Sequence, residues 1–315
     1  MGYFEQLAKA ADWLASIQNK DNGWGLADGY DSSVVNTAEA IYVLTQAGSH
    51  QKAVRAGLEF IQSRLFASIE KQGPRTRYVF FALFGIADHL DKVDPAFAAK
   101  CTEWLIHARN KDGGWGHSAN DEQSRLFPTS MSLLQLAKFN HITHDLKTRY
   151  NWLTDAATES GWSFEIGKSP TPTATAQAVL ALRSNRKHTD NIFTRPKELL
   201  LQTTHWSTER ENLPGSLWAH GTSMLVLPAL VSLDVNPYDP VIAQGVREIN
   251  ELTFDGGWRE PSGSESVRGQ FWAVFAFAAL QKAFDPAIHI YRIDSAKAQA
   301  VLTEPAFVNI KVRGP

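Results

Sequence analysis

The stretch RNKDGGWG at residues 109–116 recurs in altered form as QNKDNGWG at 18–25, TESGWSF at 158–164 and FDGGWRE at 254–260. Its tryptophans, Trp24, Trp115, Trp162 and Trp258, stand 91, 47 and 96 residues apart, which is two, one and two steps of about 47. The two missing steps fall near Gly73 (KQGPRTRYVFF, 71–81) and Gly215 (NLPGSLWAHG, 212–221), where a glycine turn again precedes an apolar run. The chain therefore reads as six repeats, each long enough for two helices and their connections.

Within a repeat the two helices differ in kind. Before the turn, apolar residues recur at helical spacing on one face, as at Leu7, Ala10, Ala11, Leu14 and Ile17. After it the run is small and apolar nearly all round: AEAIYVLTQA (38–47), MSLLQLAKF (131–139), ATAQAVLALR (174–183) and FWAVFAFAAL (271–280). A helix that is apolar all round must be covered on every side, whereas an amphipathic one needs a single buried face, so the second kind is inner and the first outer. Inner helices are expected near 34–46, 77–88, 128–138, 172–183, 218–233 and 267–281, and outer ones near 2–18, 53–65, 95–109, 144–158, 193–203 and 239–252. Ser33, Pro128, Pro172, Asp94-Pro95 and Asp239-Pro240 supply start signals. Six alternating units suit a closed ring better than an open solenoid. The expected fold is all-α, an (α/α)6 toroid over residues 1–281, with a short mixed C-terminal extension over 282–315 in which HIYRI (289–293) and FVNIKV (307–312) have β character.

Composition narrows the function classes. The 315 residues are 43% hydrophobic and 20% charged with ten Trp, ample for a large core, and the net charge of −2 supplies no basic field for nucleic acid. The segment Tyr3–Ile17 is amphipathic, without a basic stretch leading into a long apolar run, so neither a signal peptide nor a transmembrane span is expected and a cytoplasmic location follows. A single cysteine, Cys101, excludes an internal disulfide and a Cys-rich zinc site, and its place in a helical pattern reads as a buried thiol. The pairs His141/His144 and Cys101/His107 lack metal context, and no P-loop, G-x-G-x-x-G or G-x-S-x-G occurs, so no metal and no cofactor is expected.

The Asp, Gly, Gly, Trp turn followed by a Thr-Ala apolar helix resembles the QW-type repeats of squalene and hopene cyclases and the related repeats of protein prenyltransferase β subunits. The best copies are NKDGGWG at 110–116 and FDGGWRE at 254–260, with VNTAEAIYVL at 35–44 and PTATAQAVLAL at 172–182 following the same logic. The resemblance covers roughly residues 1–281 and implies the same toroid. It also implies either a class II cyclase, whose proton comes from a D-x-D-D motif before a Thr-Ala helix start, or a zinc prenyltransferase. The corresponding stretches here are Ser33-Val34-Val35-Asn36 and Thr171-Pro172-Thr173-Ala174, which hold no acid, and the sole Cys falls on an outer helix. Triterpene cyclases use two toroidal domains; this chain supplies one.

If the inner helices run parallel, their N-termini and dipoles gather at one rim and favour an anion there. Arg75, Arg77, Arg125 and Arg268 are expected on that rim, with His117, Lys168 and His220 near it; alternatively these cations only solvate loops or pair with Asp121, Glu122 and Glu265. Tyr42, Tyr78, Phe81, Phe84, Trp218, Phe271, Trp272 and Phe275 are expected to face the ring's interior, lining a ligand cavity or simply packing the core. Asp28, Asp31 and Asp121 are the weak candidates for an acid, and the four turn tryptophans read as structural wedges. Two functions compete. One is a noncatalytic or divergent cyclase-like toroid that binds a small isoprenoid-like or other anionic ligand, or an acidic protein segment, at the rim. The other is an isoprenoid-processing enzyme with a non-standard acid.

Overall fold

The computed structural model describes residues 2–71, 73–139, 146–184, 190–202, 209–213, 216–220 and 222–291. Among them twelve α-helices alternate between two rings. The outer ring is α1 (Tyr3–Ser16), α3 (Gln51–Lys71), α5 (Pro95–His107), α7 (Leu146–Asp155), α9 (Thr194–Leu201) and α11 (Pro240–Glu251). The inner ring is α2 (Val34–Ala47), α4 (Thr76–Ile86), α6 (Leu126–Lys138), α8 (Pro172–Ser184), α10 (Thr222–Ser232) and α12 (Val267–Tyr291). Each inner helix packs on the next, α2 on α4 through to α10 on α12, and α12 packs back on α2, which closes the ring.

The recurring turn has a physical logic that the sequence only hinted at. Asp112 accepts from the Gly114 N–H (3.0 Å) and the Ser124 hydroxyl (2.6 Å), while Asn110 donates to Ser124 (3.0 Å) and the Asp121 carbonyl. Asp21, Asn19, Gly23 and Ser32 repeat the arrangement in the first turn. A side chain on Gly114 would meet Ser124 at 2.6 Å, so only glycine passes there. The following tryptophan then knits its repeat together. Its ring N–H donates to the last turn of the outer helix (Trp24 to Leu14, Trp115 to Leu105, Trp162 to Leu153, at 2.6–2.7 Å), and its backbone N–H donates to a threonine in the inner helix (Thr37, Thr129, Thr175). All four turn tryptophans are fully buried. Trp258 departs from this scheme: its backbone N–H meets Gln270 at 2.8 Å, and its ring N–H has no partner.

Closure joins the first and sixth repeats. Gln6 donates to the carbonyls of Phe254 and Gly257, the Val267 N–H donates to Leu26 at 2.8 Å, and Trp258 lies against Tyr3 and Phe277. The expected order of helices holds, with two corrections. Residues 216–220, expected to open the fifth inner helix, instead form a strand, β2 (Ser216–His220), paired antiparallel with β1 (Glu209–Leu213), and α10 starts only at Thr222. Here the backbone of residues 216–220 is taken up by the antiparallel register from Glu209↔His220 to Leu213↔Ser216 instead of by a helix. At the other end α12 runs past residue 281 to Tyr291, so His289, Ile290 and Tyr291 are helical rather than extended. The rest of the expected C-terminal extension, from residue 292, lies outside the described residues.

Cys101 is fully buried on α5, and burial pushes its thiol up to about 12. It is expected to remain unmodified by a thiol reagent in the native protein and to react fully in denaturant, as intact-mass measurement will register.

Candidate functional site

The turn hydrogen bonds fix a common register for the inner helices. Thr37, Thr129, Thr175 and Gln270 each receive the N–H of their repeat's tryptophan, so they are equivalent positions. Counting from them, Val35, Phe127, Thr173 and Arg268 share one level; Glu39, Met131, Gln177 and Trp272 share the next; Tyr42, Leu134, Leu180 and Phe275 the third. The N-cap of α4, Arg75, corresponds to Ser33 and Arg125 and adds Arg77, Phe81 and Phe84 to the same three levels. At 1.5 Å rise per residue the levels are spaced by about 4.5–6 Å.

The first level carries the cations and the second a hidden acid. Glu39 lies on α2, which packs between α12 and α4, and it is fully buried between Arg268 and Arg77. Its Oε2 accepts from the Asn36 side-chain amide at 2.9 Å, and Ser33 donates in turn to Asn36 at 2.7 Å, a chain one turn apart along a single helix face. Its Oε1 has no hydrogen-bond partner. Burial raises the carboxyl from its ordinary 4.5 to about 7. Arg268, Asn36 and Arg77 pull the other way, and the nearby charge of Glu260 adds to the rise. Glu260 is itself buried and accepts from Ser266.

At this level and below it the interior is a column of rings. Tyr42 meets Phe84 at 4.9 Å and Phe271 at 5.4 Å, Phe81 meets Phe271 at 6.0 Å, and Trp272 meets Phe275 at 5.7 Å. Phe81, Phe271 and Trp272 are at most 2% exposed. These side chains thus pack on one another. An accessible apolar pocket of about 770 Å³ lies further down, at the C-terminal ends of the inner helices, reaching from Leu180 and Phe275 to Ala279 and Tyr238.

Residues 4–165, just over half of the chain, match the prenyltransferase alpha-alpha toroid domain. The chain belongs to that family. It is 24% identical over 197 residues to a probable squalene–hopene cyclase of Sinorhizobium fredii, half of this chain but 30% of that protein, so it spans under a third of the curated relatives it matches. Solved structures sharing the fold include an inactive variant of the GH76A alpha-1,6-mannanase of Salegentibacter with bound alpha-1,6-mannotriose (TM-score 0.65, 12% identity, 89% of this chain and 99% of that one). Another is a variant of the type II terpene cyclase MstE from Scytonema with geranylgeranyl dihydroxybenzoate (TM-score 0.63, 15% identity, 88% and 96%). Among the described residues no helix of this toroid is long and apolar enough to cross a membrane.

The toroid brings the four rim arginines together. Arg268 and Arg77 act on Glu39, and Arg125, Arg77 and Arg75 all act on His117. Burial, with Arg125 next, holds that imidazole below its usual range, with Asp121 opposing. Arg125 also lies 3.6 Å from Asp121, so the plain ion-pair reading applies to it. The expected acids do not enter the interior. Asp28 and Asp31 are exposed in the loop before α2. Burial would raise Asp121, but the N–H groups of His117 (3.0 Å) and Gln123 (3.2 Å), with Arg125, hold it below the ordinary range, so it has no proton to give near neutral pH. Tyr78 is half-buried on α4, its ring 5.2 Å from the Arg77 guanidinium. Trp218 and His220 fall on β2 rather than on an inner helix. Glu39 stands neither at the D-x-D-D position nor in a loop after a repeat turn, where an acid was expected. The available signal was one glutamate inside an otherwise apolar helix, with Asn three residues before it.

Proposed function

We propose that this toroid binds an anionic, partly apolar ligand of the isoprenoid class at the rim, in the cytoplasm. The observation that carries the reading is the pair Arg77 and Arg268, at equivalent first-turn positions of the two helices flanking α2, directly above the ring column. Guanidiniums at helix N-termini suit a diphosphate or carboxylate head. The isoprenoid chain of the ligand bound to MstE supports the same chemistry, whereas the mannanase shows that the fold alone does not select it. Calorimetry with farnesyl diphosphate tests the reading. Arg77→Ala with Arg268→Ala is expected to weaken binding by roughly 1.5–3 kcal/mol per lost charge-assisted contact. The comparison belongs at pH 6, where Glu39 keeps its proton. Equal affinity of variant and wild type removes the arginines from any site.

A second reading, an isoprenoid-processing enzyme, is favoured by Glu39. A carboxyl that holds its proton to about pH 7, with one oxygen unpartnered and aromatic rings in the same level and the one below, has the makings of a proton donor to an alkene. On this reading Glu39→Gln keeps the affinity for farnesyl diphosphate and abolishes its conversion, which product analysis by mass spectrometry follows. Absence of any product from wild type leaves the binding function alone.

A further inference from the structure

We propose that the toroid has a second ligand site, at the end of the ring opposite the arginines, which takes a single-chain amphiphile with an anionic head. The site is the pocket of about 770 Å³, within the ~300–1,000 Å³ range of cavities that hold small molecules. Leu180 of α8, Pro228 and Val231 of α10 and Phe275 and Ala279 of α12 form its walls, and Val235 comes from the segment that follows α10. This is a surface for a hydrocarbon chain. Phe275 is shared with the ring column, and the fully buried Phe81 and Phe271 of that column stand between the pocket and Arg77 and Arg268. The two ends are therefore separate sites.

Charge at the mouth selects the head. Asp234 lines the pocket, but its carboxylate is engaged by Arg183 at 3.1 Å, and the same guanidinium donates to the Ser232 carbonyl at 2.7 Å. Lys282 lines the pocket from α12, is exposed, and has no carboxylate within 4 Å among the described residues. Lys138, at the end of α6 and outside the pocket's lining, has its ammonium 5.6 Å from the Phe84 ring centre and 3.6 Å from Asp88. Burial lowers its affinity for a proton, Asp88 opposes this, and Lys282 is close enough to reinforce it. The lining thus carries one ammonium, Lys282, and one carboxylate, Asp234, which is already paired to Arg183. An anionic head above the pocket would meet Lys282, which has no carboxylate partner among the described residues, while the chain enters the apolar walls.

The proposal goes beyond the rim reading and does not depend on it. Its test uses cis-parinaric acid, whose fluorescence reports burial of the chain, and farnesyl monophosphate in competition with it. Ala279→Trp, which fills the pocket, and Lys282→Glu, which inverts the charge at the mouth, are each expected to weaken binding at least about tenfold. Arg77→Ala with Arg268→Ala should leave it unchanged. Tighter binding of the acid assigns a carboxylate head; tighter binding of the monophosphate assigns a phosphate. If melting shows that Ala279→Trp does not fold, Lys282→Glu decides. The proposal is overturned by wild-type affinity in both pocket variants, or by equal loss in the rim variant. It is also overturned by a wild type that takes neither probe because another part of the chain or a second copy fills the cavity.

Discussion

Replacing Glu39 by glutamine is expected to raise the melting temperature at pH 8 and to leave it nearly unchanged at pH 4. The folded protein holds the Glu39 proton up to about pH 7, whereas an unfolded glutamate releases it near 4.5. The group's contribution to stability is therefore complete below the unfolded value and is lost as pH rises through the folded one. That interval corresponds to about 3 kcal/mol at pH 8, which the neutral amide does not lose. Glutamine can still accept from Asn36, so the hydrogen-bond chain from Ser33 survives. Thermal melts of wild type and Glu39→Gln across pH 4–8 give the answer. A variant less stable than wild type at both ends of the range would mean that the carboxylate is a favourable partner of Arg268 and Arg77, and that burial does not dominate.

Trp115→Ala is expected to cost about 3–5 kcal/mol, the usual penalty for emptying a buried aromatic site, and here two helices lose their shared anchor as well. Its ring N–H holds the Leu105 carbonyl of α5 at 2.7 Å while its backbone holds Thr129 of α6. The phenylalanine variants refine the point. Trp115→Phe leaves the buried Leu105 carbonyl without this donor, whereas Trp258→Phe removes a ring N–H that bonds to nothing, so the first should destabilise more than the second. Chemical denaturation measures both. If Trp115→Ala unfolds like wild type yet loses ligand, the residue belongs to a site and its structural role falls.

The architecture was legible because the turn is a local device. Asp, Asn, Gly and Trp satisfy one another and the adjoining helix starts within about one repeat, so their spacing alone reveals the period. The fifth repeat was misread at its start because SLWAH is as apolar as a helix opening, and only pairing with residues 209–213 makes it a strand. The rim was legible as well, since Arg75, Arg77, Arg125 and Arg268 all fall at or just inside helix starts. Glu39 stood out only as a lone glutamate in α2, because its significance lies in burial near two arginines from other repeats, which the sequence of α2 does not contain. The rings of Phe81, Phe271 and Trp272 were placed correctly on the inner helices, but whether such rings line a space or fill it depends on which level each one occupies. The far pocket was invisible for the same reason: small and large residues alternate across facing helices, and only the assembled ring shows where room is left.

The contacts between first and sixth repeats change how such a chain comes apart. In an open array the terminal units have one exposed flank and fray first, so stability declines from the ends. Here Gln6 is bound to Phe254 and Gly257, 248 and 251 residues away, and Val267 is bound to Leu26, so neither end of the repeat series has a free flank. Closing a loop of that length is among the last and most entropically demanding steps of assembly, yet once made it leaves no natural place for unravelling to begin. The molecule in this sense has a sequence order but no first repeat.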